Sequence, residues 1–223
     1  MKTAFTLLLS AFLLTLSLSA CSGQEISLEQ KSYTPGTAEL HGIHIQAVDR
    51  EILVVPSNDG TLRMEYAESS KEFYDISISD EGILSMVLQS DKKWTDYIGW
   101  NSAAETDPIT VYLPDACLSS LELHTTKKDI LLSAPCATKQ LILTANGGDI
   151  SFESIYAADS ILIENKNGAI SGNIAGSYDD YAITCSIKKG KSNLPAEKAD
   201  GNKTLRVTNN NGNIDAAFTG QPT

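Results

Sequence analysis

At 223 residues the chain is long enough for one domain with a real hydrophobic core. Its formal net charge of −11 argues against nucleic acid and anionic lipid as partners and favours cationic ones such as basic peptides. The same acidity also serves simply to keep a surface protein soluble.

The chain begins with Met1-Lys2, continues through an apolar tract from Ala4 to about Leu18, and reaches Leu18-Ser19-Ala20-Cys21. This tract is too short to span a membrane and has the form of a secretory leader. It resembles the bacterial lipoprotein signal, the lipobox. That resemblance implies a signal peptide over residues 1–20, a diacylglycerol on Cys21, and a mature protein held outside the cytoplasm on a membrane face. Each acyl chain contributes roughly 0.8 kcal/mol per buried CH₂, enough for a stable anchor when two or three are present. Ser22 follows Cys21, so the inner-membrane retention signal of such lipoproteins, an Asp, is absent. Removing the leader leaves 223 − 20 = 203 residues and takes away Lys2, its single charge, so the net charge becomes −11 − 1 = −12. Residues 21–38, with Pro35-Gly36, are predicted to be the lipidated cysteine and a flexible tether, and residues 39–220 the folded domain.

Strand signals follow in order. Ile43-His44-Ile45, Ile52-Leu53-Val54-Val55 and Leu62-Arg63-Met64-Glu65-Tyr66 alternate apolar and polar positions, with Ser57-Asn58-Asp59-Gly60 as a turn. Tyr74 to Ile78 and Leu84 to Leu88 flank a second turn at Asp80-Glu81-Gly82. The pattern lapses between Lys92 and Asp107, where Trp94, Tyr97 and Trp100 lie, and resumes at Ile109-Thr110-Val111-Tyr112-Leu113-Pro114. No stretch of the mature chain holds a 3.6-residue period, so helices are expected to be scarce.

One pattern then recurs: Leu121-Glu122-Leu123 with Ile130, Leu141-Ile142-Leu143 with Ile150, Ile161-Leu162-Ile163 with Ile170, and Leu205-Arg206-Val207 with Ile214. The starts are 141 − 121 = 20, 161 − 141 = 20 and 205 − 161 = 44 residues apart, the last matching two steps of 22. A degenerate unit, Ile183-Thr184-Cys185 with Gly190, begins halfway through the long gap, with Ser192 where Ile is expected. The eighth position holds Gly148, Gly168, Gly190 and Gly212, which suggests a turn with positive φ; Lys128 is the exception, and would adopt that conformation at a cost of roughly 1 kcal/mol or more. Asn167-Gly168 and Asn211-Gly212 also suit antiparallel hairpins. The shared register of every unit favours stacked coils. The predicted fold is therefore all-β, a single β-solenoid of roughly 20–22-residue strand-turn-strand repeats.

With Cys21 assigned to lipid, Cys117, Cys136 and Cys185 remain. Cys117 and Cys136 are nearly one repeat apart; stacked coils would set them on neighbouring rungs roughly 5 Å apart, within reach of a disulfide. Cys185 falls in the inward column of Leu123, Leu143, Ile163 and Val207 and reads as a buried thiol.

Taken together, the Ile109–Pro114 strand, Gly148-Asp149-Ile150, the Asp180-Tyr181-Ala182-Ile183 tract and the terminal Thr208-Asn209-Asn210-Asn211-Gly212-Asn213-Ile214 resemble the bacterial family DUF4097, whose members are also called adhesins. The resemblance covers roughly residues 40–218. It implies an all-β, β-helix-like repeat protein, often a surface lipoprotein, in some cases linked to envelope stress. It carries over no catalytic residues.

Asp129 and Asp149 share one column, as the stacked carboxylates of a polysaccharide-cleaving β-helix enzyme would, but the column continues with Ala169 and Asn213 and has no Arg beside it. Asp beside Gly is ordinary turn chemistry. His41 and His44 would point to opposite faces of a strand and cannot chelate together, and His124 takes an outward position beside the turn. No catalytic residue, cofactor or metal site is expected. Trp94, Tyr97 and Trp100 are candidates for partner binding through sugar stacking or protein contact, or else for capping one end of the stack. The sequence thus points to a non-enzymatic, lipid-anchored surface protein binding a glycan, protein or cationic peptide. Capture of cationic peptides under envelope stress is the alternative, a polysaccharide-active enzyme a more distant one. Stack ends without caps would favour a homo-oligomer.

Overall fold

The computed structural model describes residues 28–91, 107–115 and 118–220. Its strands are β1 (Glu29–Tyr33), β2 (Gly42–Gln46), β3 (Ile52–Pro56), β4 (Arg63–Glu68), β5 (Glu72–Ile78), β6 (Ile83–Ser90), β7 (Ile109–Leu113) and β8 (Leu118–Thr125). They continue with β9 (Ile130–Leu132), β10 (Cys136–Ala145), β11 (Ile150–Asn167), β12 (Ile170–Ile174), β13 (Tyr181–Lys189), β14 (Glu197–Lys198), β15 (Lys203–Asn211) and β16 (Ile214–Phe218). The helical content of the described residues is one 3-10 turn, Tyr178–Asp180, capped by Ser177.

Each repeat places its first strand on one face of the stack and its second on another. The first face runs β6, β2, β8, β10, β11, β15, β13, all joined in parallel. The second runs β7, β3, β9, β11, β12, β16, again parallel. The 18-residue β11 belongs to both, so the whole forms one curled 16-stranded sheet. Parallel in-register pairing between repeats identifies stacked coils and excludes an antiparallel meander. Antiparallel strands occur towards the ends, where β5 lies on β6, β4 on β7, β1 on β4 and β14 on β13. They cover edges that would otherwise template further pairing.

The period of 20 works because it returns the same side chain to the same inward site. Ile43, Leu84, Leu121, Leu141, Ile161 and Leu205 form one column, each fully buried. Ile52, Ile109, Ile130 and Ile150 form its counterpart on the other face, also fully buried. Every such side chain contributes about 1.5–3 kcal/mol by leaving water. β-branched Ile suits a pleated, two-sided sheet because its restricted χ1 costs little there.

Chain order is not stack order. The unit at Ile183 does not lie between those at Ile161 and Leu205: Leu205 pairs with Ile161, and Ile183 sits outside, on Leu205. The other end behaves alike, since β2 pairs with β8 and β6 lies beyond β2. An outer rung has one rung beside it, which is why the Ile183 unit can be degenerate. Ser192, in place of Ile, still bridges in parallel to Ile214.

Two further expectations change. Part of the segment read as a tether is ordered, because Glu29–Tyr33 pairs as β1 with β4 and Lys31 meets Glu68 at 2.7 Å. Lys128 does not take the positive φ of its column; Asp49 (φ 56), in the neighbouring rung, is the non-glycine residue that does so among the described residues. The glycine column starts only above Lys128, so no Lys strain arises.

Candidate functional site

The turn edge of the stack is built from glycine, aspartate and asparagine. Gly148, Gly168, Gly190 and Gly212 have φ of 88°, 129°, 132° and 134°. A Cβ on Gly168 would overlap the carbonyl oxygen of Gly148, and one on Gly212 that of Gly168. Close approach of successive turns therefore requires glycine as much as the φ value does. Beside this column Asp129 Oδ1 accepts from the Asp149 N–H and Asp149 Oδ1 from the Ala169 N–H, both at 2.7 Å. Asn213 Oδ1 likewise accepts from the Lys191 N–H at 3.0 Å. The two aspartates thus bind backbone between rungs. Within the coil, buried Asn165 and Asn209 donate their amide N–H groups to the carbonyls of Gly148 and Gly168, each at 2.9 Å. This inner asparagine row was not singled out in the sequence, although its spacing to the glycines repeats.

The outward side of the first face carries a different group. His44 on β2 lies directly opposite Glu122 on β8, and His124 is two residues along from Glu122, on the same side. His44 Nδ1 is 3.1 Å from Glu122 Oε2, His124 Nε2 is 3.7 Å from the same oxygen, and all three donor atoms lie within 4.8 Å of one another. The imidazole centroids are 5.3 Å apart. Burial pushes the His124 pKa down, and the neighbouring His44 adds to this against the opposing pull of Glu122 and Glu164. The sequence weighed His41 with His44, whereas the histidines that the sheet brings together are His44 and His124, with Glu122 between them. The missed signal was register: His44 and Glu122 occupy the same position of their respective apolar-x-apolar units.

A buried ion pair lies elsewhere. Arg50 is 1% exposed and donates to Glu72 Oε2 at 2.8 Å. Thr125 Oγ1 donates to the Arg50 carbonyl at 2.6 Å, and burial raises the Tyr74 pKa nearby. A cleft of about 280 Å³ opens among Pro35, Leu40, Ile43, Leu62, Leu113 and Leu118.

Cys185 is buried, unbonded to another cysteine, in register with Val207, and 3.3 Å from Ser192 Oγ. Cys136 is buried at the start of β10. Its proposed mate Cys117 lies outside the described residues, as do Cys21, Trp94, Tyr97 and Trp100. No helix among the described residues is long and apolar enough to cross a membrane.

A stack of parallel coils with a glycine-lined turn edge defines a β-solenoid-like repeat protein. The chain belongs to the Toastrack DUF4097 family, whose model matches residues 40–221. No curated protein matches it. Among solved structures it is similar to a "putative cell adhesion protein" of Clostridium sporogenes, at 12% identity and a TM-score of 0.58, over 87% of this chain and 100% of that one. It is also similar to a "putative adhesin" of Bacteroides fragilis, at 14% identity and a TM-score of 0.38, over 85% and 97% of the two chains. A "putative lipid binding protein" of Parabacteroides distasonis matches at 12% identity and a TM-score of 0.32, over 87% and 95%.

Proposed function

We propose that the protein is a non-enzymatic binding scaffold, held outside the cytoplasm by lipid on Cys21, that recognises an envelope or extracellular partner. The observation that carries this reading is how the turn edge uses its polar groups. Asp129 and Asp149, the stacked carboxylates a polysaccharide-cleaving enzyme would need, hold backbone amides of the next rung instead. What the stack offers a partner is a broad, regular outer face. The Clostridium sporogenes protein of like fold is named for cell adhesion, which agrees with this reading.

The test is binding of soluble residues 22–223 to a panel of envelope glycans and cationic peptides at low and high salt. Salt-resistant binding that falls with Trp94→Ala and Trp100→Ala would support a recognition module using those rings. The net charge of −11 favours a second reading, capture of cationic peptides. Such binding would fade as the screening length shortens from about 10 Å at 0.1 M salt to 3 Å at 1 M. Turnover of a polysaccharide that Asp149→Ala abolishes would overturn both.

A further inference from the structure

We infer that His44, Glu122 and His124 form a binding site for a divalent transition metal ion of the zinc class on the outward face of the stack. The site needs no rearrangement of the backbone. A parallel sheet sets directly opposed residues about 5 Å apart, and residues two apart on one strand project from the same side. Two adjacent strands can therefore bring three side chains to one point, as β2 and β8 do here.

The donor set is chemically selective. Two imidazole nitrogens and a carboxylate suit zinc and its neighbours, whereas calcium and magnesium take oxygen almost throughout. Zinc bonds of about 2.0–2.1 Å at tetrahedral angles put donor atoms about 3.3 Å apart. His44 Nδ1 and Glu122 Oε2 are already 3.1 Å apart, and His124 Nε2 and Glu122 Oε2 3.7 Å. Small side-chain rotations close the remainder, because the three donors lie within 4.8 Å of one another.

The surroundings suit a cation that remains accessible. The side chains are 28%, 36% and 30% exposed for His44, Glu122 and His124, so each is held by the sheet yet open to solvent on one side. Three protein ligands leave a fourth position for water or for a donor from a partner. Along the same outward row, Thr144 lies opposite His124 and Glu164 opposite Thr144, which puts a further negative charge in the neighbourhood. The alternative, that Glu122 only bridges two histidines by hydrogen bonds, predicts no affinity for metal. This inference does not depend on the partner proposed above.

The experiment is calorimetric titration of Zn²⁺ into the full chain, repeated with His44→Gln, Glu122→Gln, His124→Gln and His41→Gln. One ion per chain is expected. Each of the first three changes should weaken binding by more than the roughly 10–100-fold that loss of a ligand's supporting hydrogen bond costs, and His41→Gln should leave it unaltered. These side chains face outward, and an unchanged far-ultraviolet circular dichroism spectrum would verify that each variant keeps its sheet. Cobalt(II) loading should give visible bands without the sulfur charge-transfer absorption of a cysteine site. Absence of binding at millimolar Zn²⁺, a thiolate signature, or affinity unchanged in the His44 and His124 variants would overturn the assignment.

Discussion

Gly168 and Gly60 both have positive φ, 129° and 71°, yet they serve different purposes. Gly60 stands in open space, while a Cβ on Gly168 would strike the backbone of Gly148. Gly60→Ala is therefore expected to cost about 1 kcal/mol for its backbone conformation alone. Gly168→Ala should exceed about 2 kcal/mol, because overlap with a fixed carbonyl adds to that cost. Urea unfolding of the two variants checks the difference, and equal losses would show that turn spacing is not limiting. Asp59 gives a pH-dependent counterpart. Hydrogen bonds from the Thr61 hydroxyl, the Thr61 N–H and the Ser57 hydroxyl hold its pKa at about 2, against an ordinary 3.8. A carboxylate depressed in the folded state stabilises above its unfolded pKa. The support for this turn is thus complete above about pH 4 and disappears as pH falls through about 2. A carbon-13 titration of the Asp59 carboxyl should find its midpoint near 2.

Among elements, β15 shows how the row of asparagines couples one rung to another. Asn209 is buried in β15, and its amide reaches the carbonyl of Gly168 in the adjacent turn. Asn209→Ala leaves that carbonyl without its donor and should destabilise the fold by about 1–3 kcal/mol, read from the denaturation midpoint. In β5 the stakes are higher, since Glu72 neutralises the fully buried Arg50. Glu72→Ala should cost about 3–5 kcal/mol by stranding a guanidinium in the core. The apolar columns, the turn glycines and the strand at Ile109–Leu113 were all legible in the sequence, because each repeats a local pattern. The tether was misread at Glu29–Tyr33, where the segment is polar and its order comes from pairing with β4, a partner supplied from elsewhere in the chain. His44 and Glu122 share a position in their apolar-x-apolar units, but 78 residues separate them, and it takes the adjacency of β2 and β8 to turn that shared register into contact.

On the scale of the whole molecule, the consequential fact is that the last rung to be made lies inside the last but one. Local periodicity could not disclose this, because Ile183 and Leu205 fit the same register wherever they sit. Truncation after residue 202 would remove β15 and β16 and leave β13 without its parallel neighbour. Hydrogen exchange should then show loss of protection over residues 181–198 while residues 121–145, whose strands keep a neighbour on each side, stay protected. Retained protection over 181–198 would mean that β13 can dock directly on β11.

The uniform 20-residue step between Leu121, Leu141 and Ile161 also bears on how such a chain can change its length. Out-of-order threading fixes both ends, because adding residues there would displace strands that must return to an inner place. The middle carries no such restriction. A tandem copy of residues 141–160 would bring its own inward Leu pair, its own turn glycine and its own carboxylate for the next amide. It would lengthen the stack by one strand spacing, about 4.8 Å, with both ends unchanged. Growth of this architecture is confined to its centre, and the distance between its two finished ends becomes a quantity that duplication alone can set.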